Sequence, residues 1–287
     1  MERRASELAV IPDVALHPPP STFHLPPSTY HLPPERHAWR PRVTALLAAV
    51  ALACLTPLAS SAVTDALPNA VTLLSEIRAR LPARPVTLRG RLTTYDGDDR
   101  EKSVKRIEIK FQPGAGESLD ALYILSDAFG RELERLQVTR PRQAGAPVVR
   151  AFRGDPPVPA PKADWSAAIP GATVSWMDLM LGFLWWPEAR TIGRQEVKDQ
   201  DCYVVDIQAP PNSGASYTVV RLWVEFHARM MLQAECFDTA GRRLRQITIK
   251  SVRKVDGQWM VKDLEITNLE NGERTRLHVD ETITADK

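Results

Sequence analysis

From residue 86 onward the chain alternates apolar and polar positions with a period of two, the signature of strands with one buried face. The runs VTLRGRLTTY (86–95), VKRIEIKF (104–111), LDALYILSD (119–127), ELERLQVTR (132–140) and VVRAFRG (148–154) each read as a strand, separated by Gly, Pro and Asp turn residues. The pattern resumes in RTIGRQEV (190–197), CYVVDIQAP (202–210), YTVVRLWVEFH (217–227) and MMLQAECFD (230–238). It continues through RRLRQITIKSVRKV (242–255), QWMVKDLEITNL (258–269) and RTRLHVDETI (274–283). The links PPNSGAS, TAG, DG and ENGE are hairpin-type turns. The reading is about a dozen antiparallel strands in meander order.

Two stretches break this period. Val71, Leu74, Ile77 and Leu81 recur at helical spacing, with Ser75, Glu76, Arg78 and Arg80 between them, and Pro82 and Pro85 end the helix. The second is SWMDLMLGFLWWPE (175–188), which is apolar on every side where an ordinary surface helix shows a single stripe. Ser175 and Asp178 have capping-box spacing and Pro187 is a stop, so residues 175–186 are expected to form one short helix. Such a helix is either plain core or the cover of an apolar cavity. A large antiparallel sheet must curl, and its inner face needs covering. The expected fold is therefore mainly β (α+β): a strongly curved antiparallel sheet or incomplete β-barrel, its concave face covered by the helices.

Composition adds little to this picture. The 287 residues are 44% hydrophobic and 25% charged with net charge +2, a globular balance that offers no electrostatic reason to expect nucleic acid. The N-terminus differs. Nine of the 24 prolines fall between Pro12 and Pro41, around the tandem repeat STFHLPP–STYHLPP, so residues 1–42 read as a disordered Pro/His-rich extension, or as sequence upstream of the true start. His17, His24, His31 and His37 belong to that tract and not to a metal site. Arg36, Arg40 and Arg42 then flank an uncharged apolar run at 43–58, followed by Ser60, Ser61 and Ala62, the anatomy of a secretory signal over 43–62. The alternatives are an uncleaved anchor, which Pro57 and the small-residue end disfavour, and lipid attachment at Cys54. Cleavage after Ala62 leaves the domain 63–287, exported to the periplasm.

That domain shows no nucleophile elbow, phosphate loop or paired-cysteine motif. With Cys202, Cys236, His227 and His278 as its only soft ligands, it gives no basis for a zinc or iron site. His227 at a strand end and His278 on an outward position read as surface histidines. The inferred hairpins set Cys202 opposite Glu225 and Cys236 opposite Arg221, in rows too far apart for a disulfide. Met177, Met180, Met230, Met231 and Met260 are flexible fillers suited to adaptable apolar surfaces.

The segments IPGATVSWMDL (169–179), GRQEVKDQDCYVVDIQAP (193–210), YTVVRLWVE (217–225), LQAECFDTAGRRLR (232–245), KSVRKVDGQWMVKDLEI (250–266) and RTRL (274–277) resemble the periplasmic lipoprotein-sorting superfamily. This group comprises LolA/LolB-like carriers and MucB/RseB-type sensors, and the likeness is to its outer membrane lipoprotein-sorting branch. Asp199 stands where that branch usually turns on Gly, and Glu225 where Asp is usual; residues 63–164 match only in their order of elements. The resemblance implies a half-barrel of about eleven strands closed by helices around an apolar cavity. It implies a non-enzymatic carrier or chaperone without cofactor, whose partners are lipoprotein acyl chains or another apolar ligand, with no nucleic acid. The alternative is an envelope sensor that binds a protein. On this reading Trp176, Met180, Phe183 and Leu184 are lid or cavity residues, with strands 202–210, 217–227 and 258–269 as the other walls.

Overall fold

A computed structural model describes residues 66–284 apart from 83, 115–117, 161–164 and 212. The Pro/His-rich extension, the apolar segment 43–62 and Cys54 lie outside the described residues. The chain enters through helix α1 (Ala70–Ala79) and a first run of strands: β1 (Val86–Tyr95), β2 (Glu101–Pro113), β3 (Ser118–Ser126), β4 (Glu132–Pro141), β5 (Val148–Arg153) and β6 (Val158–Pro159). A short helix α2 (Trp176–Leu179) and a 3-10 turn (Gly182–Trp185) follow. The second run is β7 (Glu188–Val197), β8 (Gln200–Gln208), β9 (Val219–Glu225), β10 (Met231–Phe237), β11 (Arg243–Val255), β12 (Gln258–Asn268) and β13 (Arg274–Thr284).

All thirteen strands form one antiparallel sheet in the order β6-β5-β4-β3-β2-β1-β13-β12-β11-β10-β9-β8-β7. The single meander read from the sequence is thus two meanders joined by the pairing of the first strand with the last. The sheet has thirteen strands where about eleven were expected. It is open, neither closed nor strongly curled into a barrel. The edges explain why. β6 is two residues long and ends in Pro159, which has no N–H to offer a neighbour, while β7 carries Glu188, Arg190, Arg194 and Glu196, charges that blunt an edge.

The β1–β13 seam is register-locked by a bulge at Arg89/Gly90. A Cβ on Gly90 would sit 2.1 Å from the His278 carbonyl oxygen, so the two backbones approach this closely only because the residue is glycine. Three hairpins share one turn chemistry. Asp96, Asp127 and Asp238 each accept through Oδ1 from the backbone N–H two and four residues on, where an arginine stands. The backbone N–H of Arg100 and that of Arg242 hold the Asp96 and Asp238 carboxyls below their usual range.

Burial follows the predicted alternation. In β3, Leu119, Ala121, Tyr123 and Leu125 face the core, and in β4 Leu136 and Val138 do. Helix α1, capped by the Asn69 side chain, buries Ala70, Leu73, Leu74 and Ile77; Val71, expected on the buried stripe, is 50% exposed. Strand β9 is buried on both faces, because Trp223 packs with Cys202 and Val204 in a small outer cluster while Val220, Leu222 and Val224 join the main core.

This division keeps the cysteines apart. Cys202 pairs with Glu225 as expected, but Cys236 lies opposite Val220, one place from the expected Arg221, displaced by an irregularity between Met231 and Gln233. Cys236 belongs to the inner core and Cys202 to the outer cluster, and both are free thiols. Burial, with the charges of Glu225 and Asp201, pushes the Cys202 thiol up to about 11; burial likewise pushes Cys236 well above its ordinary value. Alkylation at neutral pH should therefore leave both unlabelled in the native protein and label both after unfolding without reductant. Peptide mass spectrometry checks this, and a peptide pair linked through the two sulfurs would refute it.

Candidate ligand-binding site

The topology dictates what the apolar segment must do. β6 and β7 stand at opposite edges of the sheet, so the chain between them crosses the core-bearing face from one wing (β1–β6) to the other (β7–β13). Ser175 caps α2 with the expected capping box: its Oγ accepts from the Asp178 N–H at 3.2 Å, and its own N–H donates to Asp178 Oδ2 at 2.9 Å. Asp178 is fully buried and does more than cap. It accepts from the Tyr217 hydroxyl at 3.1 Å and forms an ion pair with Arg245 of β11. Burial, followed by the Asp178 charge, pushes the Tyr217 phenol far up, so it stays a donor. On the other wing the Trp176 indole N–H donates to Glu134 of β4 at 2.8 Å and its ring meets Tyr123 edge-on at 5.9 Å. One four-residue helix is thereby tied to both wings.

The expected continuous helix over 175–186 is broken at Leu181, which takes a left-handed φ of 53°. A Cβ on Gly182 would come within 2.9 Å of the Trp165 ring, so the backbone runs too close to Trp165 for any other residue to fit unshifted. The break redirects the second half. Arg78 of α1 donates to the Leu184 carbonyl at 2.6 Å, and the Trp185 indole donates to the Pro141 carbonyl at 2.8 Å under the Arg140 guanidinium.

Two recesses flank this crossing. At the α1 end lies an apolar cavity of about 190 Å³, walled by Leu181 and Leu184 from the crossing, Phe111 from β2, and Met231, Ile249 and Leu277 from β10, β11 and β13. At the other end, Trp165, Trp185, Trp186 and Pro187 line a recess of about 310 Å³ with Pro210 and Pro211.

Of the four residues read as lid or cavity, Leu184 lines the α1-end cavity and Trp176, Met180 and Phe183 do not; all four are at most 4% exposed and belong to the same core. Of the three expected strand walls, only the 258–269 strand contributes, through Trp259, Met260 and Val261. The other walls come from α1 with its following turn, β1, β2, the Met230–Met231 pair, β11 and β13. Of the methionines read as flexible fillers, Met230, Met231 and Met260 line the cavity and Met177 and Met180 do not.

The candidate chemistry stays on the outer face. The His227 N–H donates to the Glu225 carboxylate and the side chain is exposed. His278 Nδ1 lies 2.5 Å from Asp263, which also accepts from Ser251, so β11, β12 and β13 are stapled through a central carboxylate. The serine hydroxyl faces the acid and not the imidazole, which is not a nucleophile–base arrangement.

A family model described as "-like: Uncharacterized protein" matches residues 161–287, which is 127 of the 287 residues. No curated protein matches the sequence. Among solved structures, an outer membrane lipoprotein-sorting protein domain from Vibrio parahaemolyticus superposes with a TM-score of 0.63 at 15% identity, covering 75% of this chain and 91% of that one. A DUF1329 family protein from Desulfovibrio piger gives 0.62 at 14%, covering 76% and 94%. A LolA superfamily protein from Nitrosomonas europaea gives 0.53 at 16%, covering 77% and 96%. At these identities the likeness is one of fold, and the fold is LolA-like. Among the described residues no helix is long and apolar enough to cross a membrane.

Replacing Asp178 by Ala would leave the buried Tyr217 hydroxyl and the largely buried Arg245 without their carboxylate, Arg245 keeping only the Thr173 carbonyl among the described residues. A buried pair broken in this way costs about 3–5 kcal/mol, and urea unfolding should read a loss of that size. A loss below about 1 kcal/mol, the range of an exposed pair, would show that the contact does not hold the crossing in place.

Proposed function

We propose that the protein is an exported, non-enzymatic carrier for lipidated or apolar cargo in the cell envelope, of the lipoprotein-sorting type. The observation that carries this reading is the apolar cavity between the crossing segment, α1 and the strands of both wings. The LolA-like fold supports it, as do methionines at the cavity wall, where flexible side chains can reshape around different tails. At about 190 Å³ the cavity is below the ~300–1,000 Å³ typical of drug-sized sites, so it takes a short apolar group as it stands and a longer chain by displacing Trp259, which is 48% exposed, or Leu181. On this reading Leu184 is a cavity residue, and Trp176, Met180 and Phe183 are the packed backing that positions it. The domain 63–287 is the carrier, 43–62 its export signal, and the periplasm its compartment.

Two variants separate cavity from core. Val261→Trp fills the cavity from β12 and should weaken uptake of a fluorescent fatty acid by on the order of tenfold, with thermal unfolding little changed. Phe183→Asp puts a charge in packed core and should prevent folding. Unchanged uptake by a folded Val261→Trp protein would sink the carrier reading, and a membrane-protein partner retained without lipid would favour the sensor alternative.

Export makes a separate expectation. Protein recovered from the envelope fraction should begin at Val63, as read by N-terminal sequencing. A cytosolic product that keeps the Pro-rich tract would overturn it.

A further inference from the structure

The cavity is apolar along its walls but not at its mouth. The charged side chains that line it are Arg80 and Arg229, and no Asp or Glu lines it. Arg80, at the C-terminal end of α1, is exposed and makes no ion pair among the described residues. Arg229 sits in the β9–β10 turn with a left-handed φ of 51°. Its Nε faces Glu76 of α1 at 3.1 Å, and its guanidinium lies 5.1 Å from the Tyr203 ring centroid. Its Nη1 is buried without a hydrogen-bond partner. A buried guanidinium donor left open beside an apolar cavity is suited to an acceptor that arrives with the ligand. Across the mouth stands Trp259, half exposed, with the Lys254 ammonium 5.9 Å from its ring.

From this geometry we infer that the preferred ligand is a single-chain amphiphile with an anionic head, a carboxylate or a phosphate monoester, whose tail enters the cavity and whose head meets Arg229 and Arg80. The inference rests on the carrier reading and narrows it. A neutral acyl ester would fill the same cavity but bring no charged acceptor to Nη1 of Arg229 or to Arg80. Arg229 is the better placed of the two, because Glu76 and Tyr203 already orient its planar group, so little side-chain freedom is lost on binding. Arg80, on the open side, contributes as a screened charge.

Calorimetric titration of the purified protein with dodecanoate, dodecyl phosphate and methyl dodecanoate, each in monomeric form, tests this. Both anions should bind about tenfold more tightly than the ester, and the two anionic arms distinguish a fatty acid from a phosphate-bearing lipid. The double variant Arg80→Gln/Arg229→Gln should lose that preference while keeping the affinity for the ester, and Arg229→Lys should keep part of it. Equal affinities for anion and ester in the unaltered protein, or an undiminished preference in the double variant, would overturn the inference and leave the carrier reading standing. Binding of none of the three would overturn both.

Discussion

The arrangement of this protein depends on one buried carboxylate. The two halves of the sheet meet only along β1 and β13, so the chain must return across the whole core-bearing face between β6 and β7. Asp178 fixes that return. Its oxygens accept from the Ser175 backbone and hydroxyl, from Tyr217 and from Arg245, so a fully buried charge is left with its acceptor sites engaged. Buried ion pairs add little net stability, because desolvation offsets most of the attraction. What this one supplies is position. A greasy segment could slide along a greasy sheet at small cost, whereas a carboxylate that must meet one guanidinium and one phenol cannot.

From that anchor the rest of the site follows. Trp176 reaches Glu134 on the opposite wing, so α2 is held at both ends of its short span. The chain then breaks at Leu181, and the break decides which side chains see the cavity. Were the helix continuous, its apolar circumference would distribute evenly around the axis. With the left-handed residue in place, Leu181 and Leu184 turn toward α1 and β10–β13, while Trp185 and Trp186 turn toward the proline-lined recess at the other end. The left-handed conformation of a leucine costs roughly 1–2 kcal/mol, a strain that the surrounding packing sustains.

The contrast between the two faces of the sheet also has functional weight. The outer face is laced with ion pairs, including Arg274, Arg276 and Lys250 around Glu265 and the Ser251–Asp263–His278 staple. These bind neighbouring strands to one another and hold an open sheet in shape without asking its edges to pair. The inner face is left free for apolar contact. The proposed carrier function would use that separation, since walls that reshape around cargo must be supported by a layer that does not.

Strand positions were legible in the sequence because a half-buried strand must alternate, and the limits of β1, read as 86–95, coincide with the structure. The Ser175–Asp178 cap was equally legible, as was the separation of the two cysteines, since caps and hairpins are decided by residues a few places apart. The joining of β1 to β13, the two edges and the open sheet were not, because pairing between strands nearly two hundred residues apart leaves no local pattern. The same reason explains why the sequence could not say which of Trp176, Met180, Phe183 and Leu184 line the α1-end cavity. Hydrophobicity says that a side chain leaves water, but not whether it meets other side chains or an empty space. That distinction is set by the left-handed turn at Leu181, with Gly182 against the Trp165 ring, and by the α1, β10 and β13 walls around Leu184. The sequence by itself determined which residues are apolar and which turn; the tertiary structure alone decided which apolar residues face a cavity, because a cavity is a property of the gaps between elements and not of any one of them.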